Sequence, residues 1–174
     1  MNLELKIKDN FLPKELFEKL ATYSVTLEYS SKNIDSHYGN VLLSNVIHSD
    51  DNLIKDLEKS IIKHFNIKIK NLNFAAFSCV NIKKAIPHTD TEVFPNEKHL
   101  IIYLNGDPKL NTGTGFYNVI DEDTFDLHTA IGFFPNRALM FNAADSCHSP
   151  LLYAAESNSP RYSIMMWFEP EKID

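Results

Sequence analysis

The chain has 174 residues, 44% of them hydrophobic and 23% charged. This is the composition of one ordinary globular domain, with enough apolar material to bury a core without disulfide or metal staples. A formal net charge of −6 excludes a chain-wide basic footprint for nucleic acid, and no apolar run approaches the length that spans a bilayer.

Leu3 to Ile7 alternates and predicts a short strand. Pro13 stands near a first helical position, and Leu16, Phe17 and Leu20 recur at helical spacing to about Tyr23. Ser30 to Asn40 is polar and reads as a loop. Ser49-Asp50-Asp51 supplies an N-cap, and Leu53, Ile54, Leu57, Ile61 and Phe65 make one stripe of a second helix to about Phe65. From about Ile67 the pattern changes. Leu72–Ile86, Lys98–Asn105, Gly115–Ile120, Ala130–Phe134, Ala138–Asn142, His148–Ala154 and Arg161–Phe168 read as strands. Asn105-Gly106-Asp107-Pro108, Asn111-Thr112-Gly113, Pro135-Asn136 and Asn158-Ser159-Pro160 are the turns between them. Seven or so short strands predict a β-sandwich or barrel. The helices do not alternate with these strands, so they buttress one sheet from outside: a mainly β, α+β chain. The expected organisation is one domain, 1–174, with helical support over 1–66 and the sheet core over 67–170.

Pro87-His88-Thr89-Asp90 ends the first long strand. Extended chain turns positions i and i+2 to one side, so the His88 imidazole and the Asp90 carboxylate point together. A second such pair, His48 and Asp50, stands where a helix needs a cap and reads as capping. His148 lies in a later strand-like segment that a sandwich can bring opposite. Two histidines and a carboxylate with open positions are the ligand set of non-haem Fe(II) oxygenases, and zinc accepts the same donors. Only two arginines are present, Arg137 and Arg161. Arg161 opens the last apolar strand with Ser163 on the same face. An arginine aimed into a β-core is costly to desolvate unless it meets an anion, and its fork suits a carboxylate. The Tyr103 hydroxyl is placed to share that carboxylate.

PHTD (87–90), HLIIYLNGD (99–107), TGTGFYN (112–118), FPNRALMFNAADSCHSP (134–150) and RYSIMMWFE (161–169) together resemble the 2-oxoglutarate/Fe(II)-dependent dioxygenases, in their prolyl-4-hydroxylase-like branch. DNFLPKELFEKL (9–20) is similar to the helix that opens many members. The resemblance implies a double-stranded β-helix, or jelly roll, with Fe(II) on His88, Asp90 and His148. It implies 2-oxoglutarate held through its C5 carboxylate by Arg161, Tyr103 and Ser163. It also implies O2 as co-substrate and ascorbate as a candidate reductant. The implied reaction is hydroxylation of a C–H bond, in a prolyl or other peptide or amino-acid residue, with release of succinate and CO2. Collagen-type members carry Lys where Arg161 stands; arginine is the usage of oxygen-sensing and many bacterial members. The rival readings are a His2Asp zinc hydrolase, which has no use for Arg161, and a non-enzymatic jelly-roll metal-binding module.

The remaining residues have plainer readings. His99 is a strand residue, with a pocket-facing substrate contact as the alternative, Trp167 and Phe168 are core, and Cys147 turns away from the face of His148. Arg137 is open between a structural and a pocket role. Asp121-Glu122-Asp123 is a solvated hairpin tip. Tyr29–Asn40 and Thr91–Lys98 are the expected substrate rim. Cys79 and Cys147 form no CxxC pair, which favours a reducing compartment. With no signal-peptide pattern at the start, the expected location is the cytoplasm. The expected partner is a small molecule or peptide, without nucleic acid or membrane. Oligomeric state is not readable.

Overall fold

The computed structural model describes residues 3–30, 41–80, 86–151 and 160–173. In chain order these form β1 (Leu5–Lys8), α1 (Lys14–Ser24), β2 (Val41–Val46), α2 (Asn52–Phe65), β3 (Ile67–Val80), β4 (Lys98–Asn105), β5 (Thr114–Val119), β6 (Phe125–Ile131), β7 (Ala138–Asn142), β8 (His148–Pro150) and β9 (Arg161–Lys172). Among the described residues no helix is long and apolar enough to cross a membrane.

Two antiparallel sheets face each other. The larger has the order β1-β7-β4-β9-β3-β2 and the smaller β6-β5-β8. His88 adds a bridge to His148, extending the small sheet beyond β8. From β3 onward the chain passes repeatedly between the sheets: β3 large, His88 small, β4 large, β5 and β6 small, β7 large, β8 small, β9 large. That alternation is a jelly roll, as the resemblance implied.

The large sheet is covered on both faces, which is why its strands read as nearly continuous apolar runs. Its outer face carries Phe77, Leu100, Ile102, Leu104, Met140, Ile164, Met166 and Phe168, packed with Leu20 of α1 and Ile54, Leu57, Ile61 and Phe65 of α2. Asp51 caps α2 by accepting from the Leu53 N–H at 2.7 Å, and Asn66, at φ 56°, ends it in the left-handed conformation. The inner face carries Ile101, Tyr103, Leu139 and Phe141, with Phe116 from the small sheet.

The first third of the chain also supplies two strands: β1 pairs with β7 and β2 with β3. The strand at Val41–Val46 follows a polar stretch and has no marked alternation, so periodicity did not expose it. The β6 strand begins at Phe125, before the predicted Ala130, because this edge strand is largely solvated and its polar residues mask it. The predicted ends of the strands at 81–86 and 148–154 reach into 81–85 and 152–159, outside the described residues.

Candidate active site

The two strand ends that carry His88 and His148 are hydrogen-bonded to each other. The His88 N–H donates to the His148 carbonyl at 3.0 Å and the His148 N–H returns the bond at 2.8 Å. The two imidazoles are thereby placed side by side, ring centroids 4.8 Å apart. Two residues on, the Asp90 N–H is tied to the Ala143 carbonyl, and the carboxylate comes back to the same side. One donor atom from each of His88, Asp90 and His148 lies within 4.8 Å of the others. His48 and Asp50 are remote from this cluster, in the turn that leads into α2.

Each imidazole is oriented by its second nitrogen. His88 Nδ1 lies 3.0 Å from the Ile86 carbonyl and His148 Nδ1 2.9 Å from the Ser146 carbonyl. A carbonyl accepts only, so Nδ1 carries the proton and Nε2 is the nitrogen left for a metal. Burial pushes the His148 imidazole down to about 3 and lowers His99 as well. Burial opposes ionisation of Asp90, but the neighbouring His99 and His148 rings and the Trp167 N–H hold its carboxyl well below the usual range. Neutral imidazoles beside an ionised carboxylate are what a divalent cation binds. Asp90 Oδ1 is buried, lies 3.8 Å from His88 Nε2, and has no hydrogen-bond partner among the described residues. A bare buried carboxylate oxygen is costly; a cation bound among these three donors removes that cost. The residues fit a divalent metal held by three protein ligands.

The other carboxylate oxygen is occupied. Trp167 Nε1 donates to Asp90 Oδ2 at 2.8 Å, and His99 Nδ1 lies 3.3 Å from the same atom. His99 is fully buried. Trp167 was read as core, and His99 as a strand residue or a substrate contact; neither was read as standing behind Asp90. The strand period carried the signal: His99, Ile101 and Tyr103 share one face of β4, and Arg161, Ser163, Met165 and Trp167 share one face of β9.

A cavity of about 270 Å³ opens beside the cluster, lined by His88, His148, Arg161, Thr114 and an apolar wall that includes Phe74, Phe94 and Trp167. Arg161 is only 3% exposed. Its Nη1 donates to the carbonyls of Thr112 and Gly113, and its guanidinium carbon lies 5.3 Å from the Tyr103 ring centroid. Gly113 must be glycine: a Cβ there would stand 1.7 Å from the Ile131 carbonyl oxygen. Tyr103 bonds Thr114 Oγ1 at 2.7 Å, so the hydroxyl at the cavity wall belongs to Thr114, a residue the sequence did not single out. Ser163 is on the cavity side of β9 but is paired with the Ser78 hydroxyl at 2.9 Å.

The rest of the expectations sort by position. In Thr91–Lys98, Val93 and Phe94 line the cavity. Of Tyr29–Asn40, residues 31–40 lie outside the described residues, and Tyr29 packs with Tyr162 beside the helix-covered core. Arg137 is structural, its fork on Asp9 at 2.6 and 2.9 Å and a further bond to the Gly132 carbonyl. Cys147 is buried and Asp121–Asp123 is an exposed hairpin tip.

No protein-family model and no curated protein sequence matches this chain. Among solved structures it is similar to a prolyl-4-hydroxylase of Pseudomonas putida, at 13% identity over 99% of this chain and 95% of that one, TM-score 0.63. It is also similar to a prolyl hydroxylase of Trichoplax adhaerens in complex with a hypoxia inducible factor oxygen degradation domain peptide fragment, at 16% identity over 95% and 83%, TM-score 0.61. A third is the viral collagen prolyl hydroxylase of Paramecium bursaria Chlorella virus 1 in its 2-oxoglutarate complex, at 14% identity over 94% of both chains, TM-score 0.58. The likeness is one of fold: these enzymes and this chain share the jelly roll.

Proposed function

We propose that this protein is an Fe(II)- and 2-oxoglutarate-dependent dioxygenase that hydroxylates a C–H bond in a peptide or amino-acid substrate. The observation that carries the reading is that one cavity holds both His88, Asp90 and His148 and the buried guanidinium of Arg161. The metal set alone fits any open divalent site; a guanidinium on the wall of the same cavity suits the carboxylate of a co-substrate.

Iron held by His88, Asp90 and His148 supplies the redox chemistry that couples O2 and 2-oxoglutarate to substrate: R–H, O2 and 2-oxoglutarate become R–OH, succinate and CO2. The chain's own residues bind and orient. His88 and His148 present Nε2 because backbone carbonyls take the Nδ1 protons. Arg161, kept in place by the carbonyls of Thr112 and Gly113, receives the distal carboxylate of 2-oxoglutarate through charge-assisted bonds. The Thr114 hydroxyl, backed by Tyr103, offers a further donor, and Ser163 lies on the same face. The apolar wall of Phe74, Phe94 and Trp167 excludes water and gives the substrate carbon a dry approach.

A His2Asp zinc hydrolase leaves Arg161 without a task. A closed structural metal site needs four protein ligands, and the described residues bring three together. A peptide substrate is favoured by the Trichoplax adhaerens neighbour, which holds a peptide. The free buried thiols of Cys79 and Cys147 suit a reducing compartment and so the cytoplasm. Ascorbate is the expected reductant, and residues 1–174 are taken as one domain.

The test is succinate release from 2-oxoglutarate in the presence of Fe(II), followed by mass spectrometry of a peptide and amino-acid panel for products with one added oxygen atom. Metal-dependent succinate and an oxygenated product are expected. Hydrolytic turnover with Zn(II), insensitive to 2-oxoglutarate, would overturn the reading.

A further inference from the structure

We propose that Trp167 is a positioning residue that holds Asp90 by Oδ2, with His99 fixing the indole by stacking, so that Asp90 offers a bound metal Oδ1 alone; this rests on the metal reading above. A carboxylate can bind a cation through one oxygen or chelate it through both. In this cavity the choice is built into the protein. Trp167 Nε1 donates to Oδ2 at 2.8 Å. Oδ1 has no hydrogen-bond partner among the described residues and faces His88 Nε2 at 3.8 Å. One oxygen accepts a hydrogen bond and the other is bare, which is the asymmetry of a one-oxygen ligand.

The donor is itself locked. The rings of His99 and Trp167 are stacked, centroids 4.0 Å apart and planes 24° from parallel. Phe94 stacks on Trp167 at 5.1 Å and 22°. The Phe94 N–H donates to the Asp90 carbonyl at 2.7 Å, so the turn that carries the ligand also carries one leaf of the stack. Buried and stacked, the indole has no room to swing away from Oδ2. Chelation would need Oδ2 free; the bond from Trp167 keeps it engaged. Trp167 is at once the cavity wall and the anchor of the ligand.

The experiment is equilibrium titration with Co(II), read by its d–d absorption, with no turnover involved. Trp167→Phe keeps an aromatic ring and removes the N–H. His99→Leu removes the ring stacked on the indole, and His99→Phe puts a ring back there. Trp167→Phe and His99→Leu should each weaken Co(II) binding by about ten- to a hundredfold, the usual cost of losing the support behind a metal ligand, and alter the d–d bands. His99→Phe should recover most of both. In an Asp90→Ala background, Trp167→Phe should have no further effect on Co(II) affinity. Wild-type affinity and spectrum in the folded variants would overturn the clamp, as would an equal loss in the Asp90→Ala background. If Trp167→Phe does not fold, His99→Leu against His99→Phe decides by the same criteria. Wild-type protein that takes up no Co(II) would remove the metal reading and the clamp together. Wild-type uptake with unaltered variants would remove the clamp alone.

Discussion

An imidazole that gives its Nδ1 proton to a backbone carbonyl has one nitrogen left to offer, and His88 and His148 are both in that condition beside a bare carboxylate oxygen. His88→Ala, Asp90→Ala and His148→Ala should each abolish metal-dependent turnover, measured as succinate release. His48→Ala, in the turn before α2, should not; normal Fe(II) affinity and turnover in Asp90→Ala would disprove the ligand assignment. Arg161 belongs to the same scale. Losing one partner of a buried charged pair costs about 2–5 kcal/mol. Arg161→Ala should therefore raise the 2-oxoglutarate requirement by roughly tenfold to a few thousandfold at about 1.4 kcal/mol per decade, with metal affinity near normal. Arg161→Lys should fall between, keeping the charge and losing the fork. The readout is 2-oxoglutarate titration of the anaerobic Fe(II) protein; an unchanged dissociation constant in Arg161→Ala would end the co-substrate role. These residues were legible beforehand because their chemistry is rare in a β-core and each stands alone in its strand. Thr114, Trp167 and His99 were not, because a threonine, a tryptophan and a lone histidine are ordinary core-strand residues until a partner across the sheet gives them a task.

At the scale of elements, one side chain ties the segment that leads into the N-terminal helix to the sheet core. Asn136 was read as half of a turn. It does sit in a turn, at φ 63°, but it is also buried. Its Oδ1 accepts from the Leu12 N–H at 2.8 Å and its Nδ2 donates to the Leu12 carbonyl at 2.9 Å. This closes the segment before α1 onto the turn before β7, and the Phe11 N–H adds a bond to the Asn136 carbonyl. Asn136→Ala leaves two buried backbone groups unsatisfied and should cost about 2–4 kcal/mol. Asn136→Gly removes the conformational strain but not that loss, so it should be nearly as damaging. Urea denaturation tests this: the midpoint should fall with the slope unchanged, and a loss under about 0.5 kcal/mol in Asn136→Gly would show that only backbone strain matters there. The helices themselves were readable from the stripe of α2 and its Asp51 cap. The strand β6 was not, because an edge strand exposed to solvent has little apolar residue to alternate.

For the whole molecule, the consequence of the cavity is linkage. A ligand that binds only the folded state stabilises it by about 2.7 kcal/mol at a hundred times its dissociation constant. For a chain of this size that is a rise of about 5–10 °C in Tm. Co(II) with 2-oxoglutarate should produce it and a chelator should reverse it; an unchanged Tm by calorimetry would argue that the cavity takes neither. Local pattern was enough to determine the mainly β chain with outer helices, most of its strands and the candidate ligands, because periodicity and residue chemistry are properties of neighbours in the chain. What only the tertiary structure decided is which groups meet. The bond pair between His88 and His148 joins segments 60 residues apart. The contact of Trp167 with Asp90 joins β9 to a turn 77 residues earlier. The partner of each Asp90 oxygen depends on how the two sheets are stacked, and stacking is set by the complementary shapes of inward side chains on every strand at once, which no stretch of sequence contains by itself.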